Sequence, residues 1–237
     1  MNFHLEIECP GSIQLLSYLN LLAEPLTMPP KSTQPPKNWP PRLPYLTSPL
    51  YPPNFPPETL TSLHFRPPSA LEITAPRGPS PLVKITPILD PSHPACGQSG
   101  LFAASELKPG TLILRYLGEV HTSGRNDKHA DSDYDLSLDR DLGVGIDAAK
   151  RGNEGRFVND YRGVAMGPNA EFREVWDVGR GERGMGVFVL AEGRRGKGRG
   201  KGIRKGEEIL VGYGRGFWGA RRGVDEEGKG EVEEGNG

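Results

Sequence analysis

Of the 24 prolines in this 237-residue chain, 21 lie between Pro25 and Pro94. Six doublets fall there: Pro29-Pro30, Pro35-Pro36, Pro40-Pro41, Pro52-Pro53, Pro56-Pro57 and Pro67-Pro68. Each proline removes a backbone donor and fixes φ. Neither a helix nor a central sheet strand tolerates that density. Residues 25–81 are therefore expected to be extended, in part polyproline II. The same stretch carries Trp39, Tyr45, Leu46, Tyr51, Phe55, Leu60, Leu63 and Phe65. So many apolar anchors leave two readings open: a segment lying along a folded domain, or a tail that binds partners.

From Leu82 the pattern changes to short apolar runs between turns. Strands are expected at residues 83–85, 101–104 and 111–117. Residues 134–138 alternate with period two, and 143–147 would form the other arm of a hairpin. Further strands are expected at 170–178, 186–191 and 208–213. Helix is scarce, with at most one turn at 148–152. The fold class is mostly β, organised as a domain over residues 82–222. Residues 1–24 form an uncertain segment with one short amphipathic helix. Residues 223–237 are an acidic tail expected to be disordered. Residues 193–205 read GRRGKGRGKGIRK, with seven basic residues and no acid. That run is expected to be a solvated loop. A nucleic-acid contact through it is the functional alternative.

The net charge of −1 neither supports nor excludes a nucleic-acid partner. Two cysteines, Cys9 and Cys96, make no disulfide framework, and no Asn-x-Ser/Thr site occurs. Both facts lean towards an intracellular setting, nuclear or cytoplasmic. The apolar run at 13–23 is short and preceded by Glu6 and Glu8, unlike a secretory signal. No stretch reaches the ~20 apolar residues of a membrane helix, so no membrane partner is expected.

Three apparent motifs fail on context. Gly179, Gly181 and Gly184 match G-x-G-x-x-G, but a β-like run follows where a dinucleotide site needs a helix. Asp131, Asp133 and Asp135 begin like a calcium loop, yet Leu136 and Leu142 stand where glycine and glutamate are required. The histidines and cysteines have no zinc-site spacing, so no metal is expected.

Four segments then follow in a particular order. They are Gly97-Gln98-Ser99-Gly100-Leu101-Phe102-Ala103 and Tyr116-Leu117-Gly118-Glu119. Next comes Ile146-Asp147-Ala148, running on through Gly152-Asn153-Glu154-Gly155-Arg156-Phe157-Val158-Asn159. The last is Gly206-Glu207-Glu208-Ile209-Leu210-Val211-Gly212-Tyr213-Gly214. This series resembles the SET domain family of protein-lysine methyltransferases, in a fungal-type form without cysteine-rich zinc modules. The resemblance covers about 135 residues. It implies several small β-sheets, a threaded C-terminal segment, and methyl transfer from S-adenosylmethionine to lysine of a protein substrate. The alternative is a degenerate SET domain that binds peptide without turnover.

Such a transfer is an in-line displacement, which needs alignment and exclusion of water more than a nucleophilic side chain. The resemblance assigns Gly100, Leu101, Phe102, Arg156, Phe157, Asn159 and Trp218 to the cofactor. It assigns Tyr213 to the reacting centre and Tyr134 to a second wall of the lysine channel. Other roles stay open: Arg156 and Asn159 as loop ties, Tyr213 as a packed aromatic, Tyr134 as a cross-strand residue, Asp147 as a structural acceptor. Three positions depart from the family pattern: Gln98 for glycine, Asp160 for the histidine after Asn159, and Gly212 for the aspartate before Tyr213.

Overall fold

The computed structural model describes residues 34–123, 132–191 and 201–213. The chain divides into two units, Met1–Lys31 and Ser32–Gly237, and everything described belongs to the second. The expected N-terminal helix, the acidic tail, Trp218 and the threading beyond Tyr213 lie outside the described residues.

Among the described residues, four small sheets make up the fold. The largest has the order β1 (Glu72–Ile73), β9 (Ala170–Asp177), β10 (Glu182–Val189), β4 (Leu112–Tyr116). A hairpin joins β2 (Val83–Pro87) to β3 (Ser99–Ala103). A three-stranded sheet sets β7 (Val144–Asp147) between β5 (Glu119–Thr122) and β6 (Asp135–Asp139). The last sheet is a two-residue parallel pair, β8 (Asn159–Asp160) with β11 (Leu210–Val211). The chain is thus mostly β, as its short apolar runs indicate.

Local chemistry accounts for the turns. Between β9 and β10 the Gly179 amide donates to Asp177 Oδ1 at 3.1 Å, and Gly181 takes a φ of 66°. The G-x-G-x-x-G run is therefore a hairpin turn, and its last residues already belong to β10. That strand begins four residues earlier than the apolar run at 186–191. β5 has no counterpart among the expected strands. No helical turn occurs at 148–152; the turn is a 3-10 helix at Glu154–Phe157, where the Asn153 side chain accepts from Gly155.

The proline-rich stretch is packed, and it contains a helix, which its composition had argued against. Helix α1 (Pro57–Leu63) places Pro57 in its first turn, where the missing amide has no helical partner to lose. Leu63 at its end is fully buried, a contribution of about 1.5–3 kcal/mol. Trp39 joins the core cluster containing Ile85, Leu101, Phe157, Val187 and Ile209. Phe55 and Leu63 join a second one with Tyr116, Val120, Ile146 and Met185. Polar contacts reinforce both. Tyr45 donates to Glu154 Oε2 at 3.0 Å, Tyr51 to Glu182 Oε2 at 3.1 Å, and the Leu46 amide to the Gly152 carbonyl at 2.7 Å.

One further correction concerns the basic run. Residues 192–200 lie outside the described set, but Ile203 is 1% exposed. Its amide and carbonyl pair with those of Leu107 at 2.9 and 2.8 Å. The end of that run is therefore a core contact, because a lone isoleucine among polar neighbours still gains by burial. Among the described residues, no helix is long and apolar enough to cross a membrane. No group of three or more His, Cys, Asp or Glu among them could hold a metal ion.

Candidate functional site

Asn153 fastens the third motif to the second. Its Nδ2 donates to the Arg115 carbonyl at 2.7 Å, and its Oδ1 accepts from the Leu117 amide at 3.0 Å. Gly118 allows this close approach, since a Cβ there would collide with the Asp147 carbonyl. Arg156 then folds back, donating from Nε to the Ala148 carbonyl at 3.0 Å and from Nη2 to that of Ala149 at 3.4 Å. Its guanidinium lies 4.3 Å from the Tyr134 ring centroid, within cation–π range. The side chain of Arg156 is thus a loop tie and a cover for Tyr134. Asp147 Oδ1 accepts from Ser132 Oγ and the Ala149 amide, both at 2.8 Å, which is a structural acceptor's position.

The β8–β11 pair brings the last two motifs together. Asn159 stands opposite Leu210, and Asp160 opposite Val211. Asn159 Nδ2 donates to Glu208 Oε1 at 2.8 Å. Gly100 on β3 lies against this contact: a Cβ there would be 2.5 Å from Glu208 Oε1, 3.0 Å from Phe102 Cε2 and 3.1 Å from Asn159 Nδ2. Gly100, Phe102, Asn159 and Glu208 therefore converge. Leu101 and Phe157 give their side chains to the core, Phe157 edge-on to Trp39 with centroids 5.7 Å apart. Where the family has a glycine, Gln98 precedes β3 in ordinary backbone, and the left-handed position falls to Gly97, φ 84°.

Asp160, in the place of the family's histidine, binds the last motif at Tyr213. Its Oδ2 accepts from the Tyr213 amide at 2.7 Å and pairs with Arg162 Nη1 at 2.8 Å. The Tyr213 hydroxyl donates to the Val158 carbonyl at 2.7 Å. Burial, and then the negative charge of Asp160, raise its pKa well above the ordinary tyrosine range; Tyr134 and Glu208 add to the shift. Tyr116 is fully buried, so its pKa is also raised well above normal, with Tyr213 the next contributor. Its hydroxyl donates to the Tyr134 carbonyl at 2.6 Å. Three tyrosines thus gather where two were expected.

Sequence reasoning quoted Tyr116 and Glu208 within motifs but gave neither a role. It missed His93 altogether, whose Nε2 lies 3.0 Å from Glu208 Oε2. A histidine inside a Pro-Ser-His-Pro loop carries no pattern that could have marked it.

Several known proteins are similar to part of this chain. A histone-lysine N-methyltransferase, H3 lysine-36 specific, from Aspergillus oryzae is 35% identical over 122 residues, covering 48% of this chain and 11% of that protein. The Arabidopsis thaliana histone-lysine N-methyltransferase ASHH3 is 29% identical over 126 residues, covering 50% of this chain and 30% of that protein. The chain thus spans about a tenth to a third of the length of these relatives. Among solved structures, the Chaetomium thermophilum polycomb repressive complex 2 aligns with a TM-score of 0.43 at 24% identity, over 59% of this chain and 16% of that one. The family profile described as the SET domain matches residues 98–214, which hold all four motifs, apart from Gly97, and the site they build. Residues 98–214 of this chain belong to the SET domain family.

Proposed function

We propose that this chain binds S-adenosylmethionine and transfers its methyl group to the ε-amine of a lysine in a protein substrate. The observation that carries this reading is the gathering of Tyr116, Tyr134 and Tyr213 beside the Gly100–Asn159–Glu208 cradle. The cofactor would supply a methyl carbon activated by its sulfonium. The residues present fit such a group. Gly100 offers backbone with no Cβ, and Asn159 offers both a donor and an acceptor. Leu101 and Phe157, with core-packed side chains, would act through their backbone; Phe102 and Arg156 would border the pocket. Trp218 is assigned to the cofactor by the resemblance alone.

The tyrosines would orient the amine instead of deprotonating it. Burial keeps the Tyr213 and Tyr116 hydroxyls protonated through the neutral range. A protonated hydroxyl can donate to a carbonyl and accept from an amine at once. Tyr213, held by Val158 and Asp160, would thus aim the lysine lone pair along the line of displacement. The carbon–nitrogen bond would form as the carbon–sulfur bond breaks, and the surplus amine proton would leave to water.

The substrate is a proposal of its own. Because the fungal relatives are named for H3 lysine 36, nucleosomal histone H3 is the first to test, which would place the protein in the nucleus. Incubating the full chain with methyl-labelled S-adenosylmethionine and either nucleosomes or cell extract tests the reading. Labelled lysine supports it. Cofactor binding without any labelled protein would instead favour the non-catalytic peptide binder, for which Asp160 paired with Arg162 is the motivating departure.

A further inference from the structure

The loop that joins β2 to β3 carries His93, whose Nδ1 accepts from the Ala95 amide at 3.0 Å. A ring nitrogen that accepts an N–H holds no proton of its own, so the hydrogen sits on Nε2. That nitrogen lies 3.0 Å from Glu208 Oε2, with side chains 10% and 9% exposed. The distance suits an ion pair, but the tautomer makes it a hydrogen bond from a neutral imidazole to a carboxylate. The other oxygen, Glu208 Oε1, accepts from Asn159 Nδ2 at 2.8 Å. Both carboxylate oxygens are thus taken up by donors, one from His93 and one from Asn159. The loop is wedged in place: Pro94 Cγ lies 2.6 Å from where a Cβ on Gly163 would be.

A carboxylate offers no donor, so it fixes which end of a carboxamide can face it. The Asn159 nitrogen turns inward, and the oxygen points to the opposite side of the planar group. We propose that Glu208, held by His93, is a positioning residue that presents the Asn159 oxygen to the ammonium group on the cofactor's amino-acid arm. The proposal rests on the reading of this site as an S-adenosylmethionine pocket. Without the carboxylate, the terminal torsion of asparagine has two near-equivalent wells. One of them would present an NH2 donor, which repels an ammonium group. Gly100 serves the same arrangement, since a Cβ there would take the space of Glu208 Oε1.

Two ligands separate this role from simple packing. S-adenosylhomocysteine carries the ammonium, whereas 5′-methylthioadenosine keeps the adenosine and sulfur but lacks the amino-acid arm. Calorimetry on the full chain would measure both. Glu208→Ala should weaken S-adenosylhomocysteine about tenfold or more, with methylthioadenosine held within about twofold. Glu208→Gln has one acceptor for two donors and should show a smaller, equally selective loss. Adding His93→Ala to Glu208→Gln removes the competing donor and should restore S-adenosylhomocysteine binding. Should Glu208→Ala fail to fold, the glutamine variant and its rescue give the same comparison. Parallel loss of both ligands, or no loss of either, overturns the positioning role. A wild-type chain that binds neither ligand overturns the pocket reading itself.

Discussion

The Tyr213 hydroxyl donates to the Val158 carbonyl at 2.7 Å, so the end of the last motif is latched to the residue just before β8. Removing that oxygen costs one hydrogen bond, about 0.5–1.5 kcal/mol of stability. If Tyr213 also orients the lysine amine, Tyr213→Phe should lower turnover, or change the number of methyls added, at nearly unchanged cofactor affinity. That split marks a contact made in the transition state only. Methylation at the wild-type rate and degree would remove Tyr213 from the reacting centre.

Gly100→Ala tests the cradle. The new methyl would meet Glu208 Oε1 at 2.5 Å and Asn159 Nδ2 at 3.1 Å, so the carboxylate–carboxamide pair must part. Overpacking of this kind costs about 1–3 kcal/mol. The expected result is a melting point lower by a few degrees and S-adenosylhomocysteine binding weakened about tenfold. Unchanged affinity in a folded variant would place the cofactor elsewhere.

Ile203→Ala should destabilise the protein by about 2–4 kcal/mol, read from urea denaturation, because the site is fully enclosed. Replacing residues 193–205 by a short Gly-Ser turn, which a purely solvated loop would tolerate, should therefore lower the melting point sharply.

Glu154 gives a pH-dependent test. Burial raises its pKa above the ordinary glutamate range, with hydrogen bonds to Ser80 and Tyr45 opposing the shift. A carboxyl with a raised folded-state pKa stabilises the fold fully below its unfolded value of about 4.3. That stability is lost as pH climbs through the folded value. Glu154→Gln cannot ionise. The stability of the natural protein relative to this variant should therefore be greatest near pH 4 and shrink towards pH 8. A difference that grows with pH would contradict the burial argument.

Legibility in the sequence followed how local each signal was. β2, β3, β4, β9 and the β6–β7 hairpin were readable because their apolar runs or alternation lie within a few residues. The two-residue β8 was not: Asn159-Asp160 has no strand character, and becomes one only because Leu210-Val211 lies alongside it. Helix α1 was hidden by a proline count that ignored position, since Pro57 stands where a helix admits proline. Tyr134 and Tyr213 were singled out through the family resemblance, which gave Tyr116 no role. The His93–Glu208 contact spans 115 residues, and no periodicity records such a meeting.

The threads that tie the proline-rich stretch to the rest have a bearing on synthesis. Tyr45 reaches Glu154 across 109 residues of chain, and Tyr51 reaches Glu182 across 131. A ribosome delivers Tyr45 and Tyr51 long before either partner exists. The first part of this unit to emerge must therefore wait, exposing Trp39, Phe55 and Leu63 until β10 has left the exit tunnel. At about 5–20 residues per second that delay is on the order of ten seconds. The prolines that obscure the helix serve this interval well: a stretch so poor in free amides offers few edges for a neighbouring nascent chain to pair with.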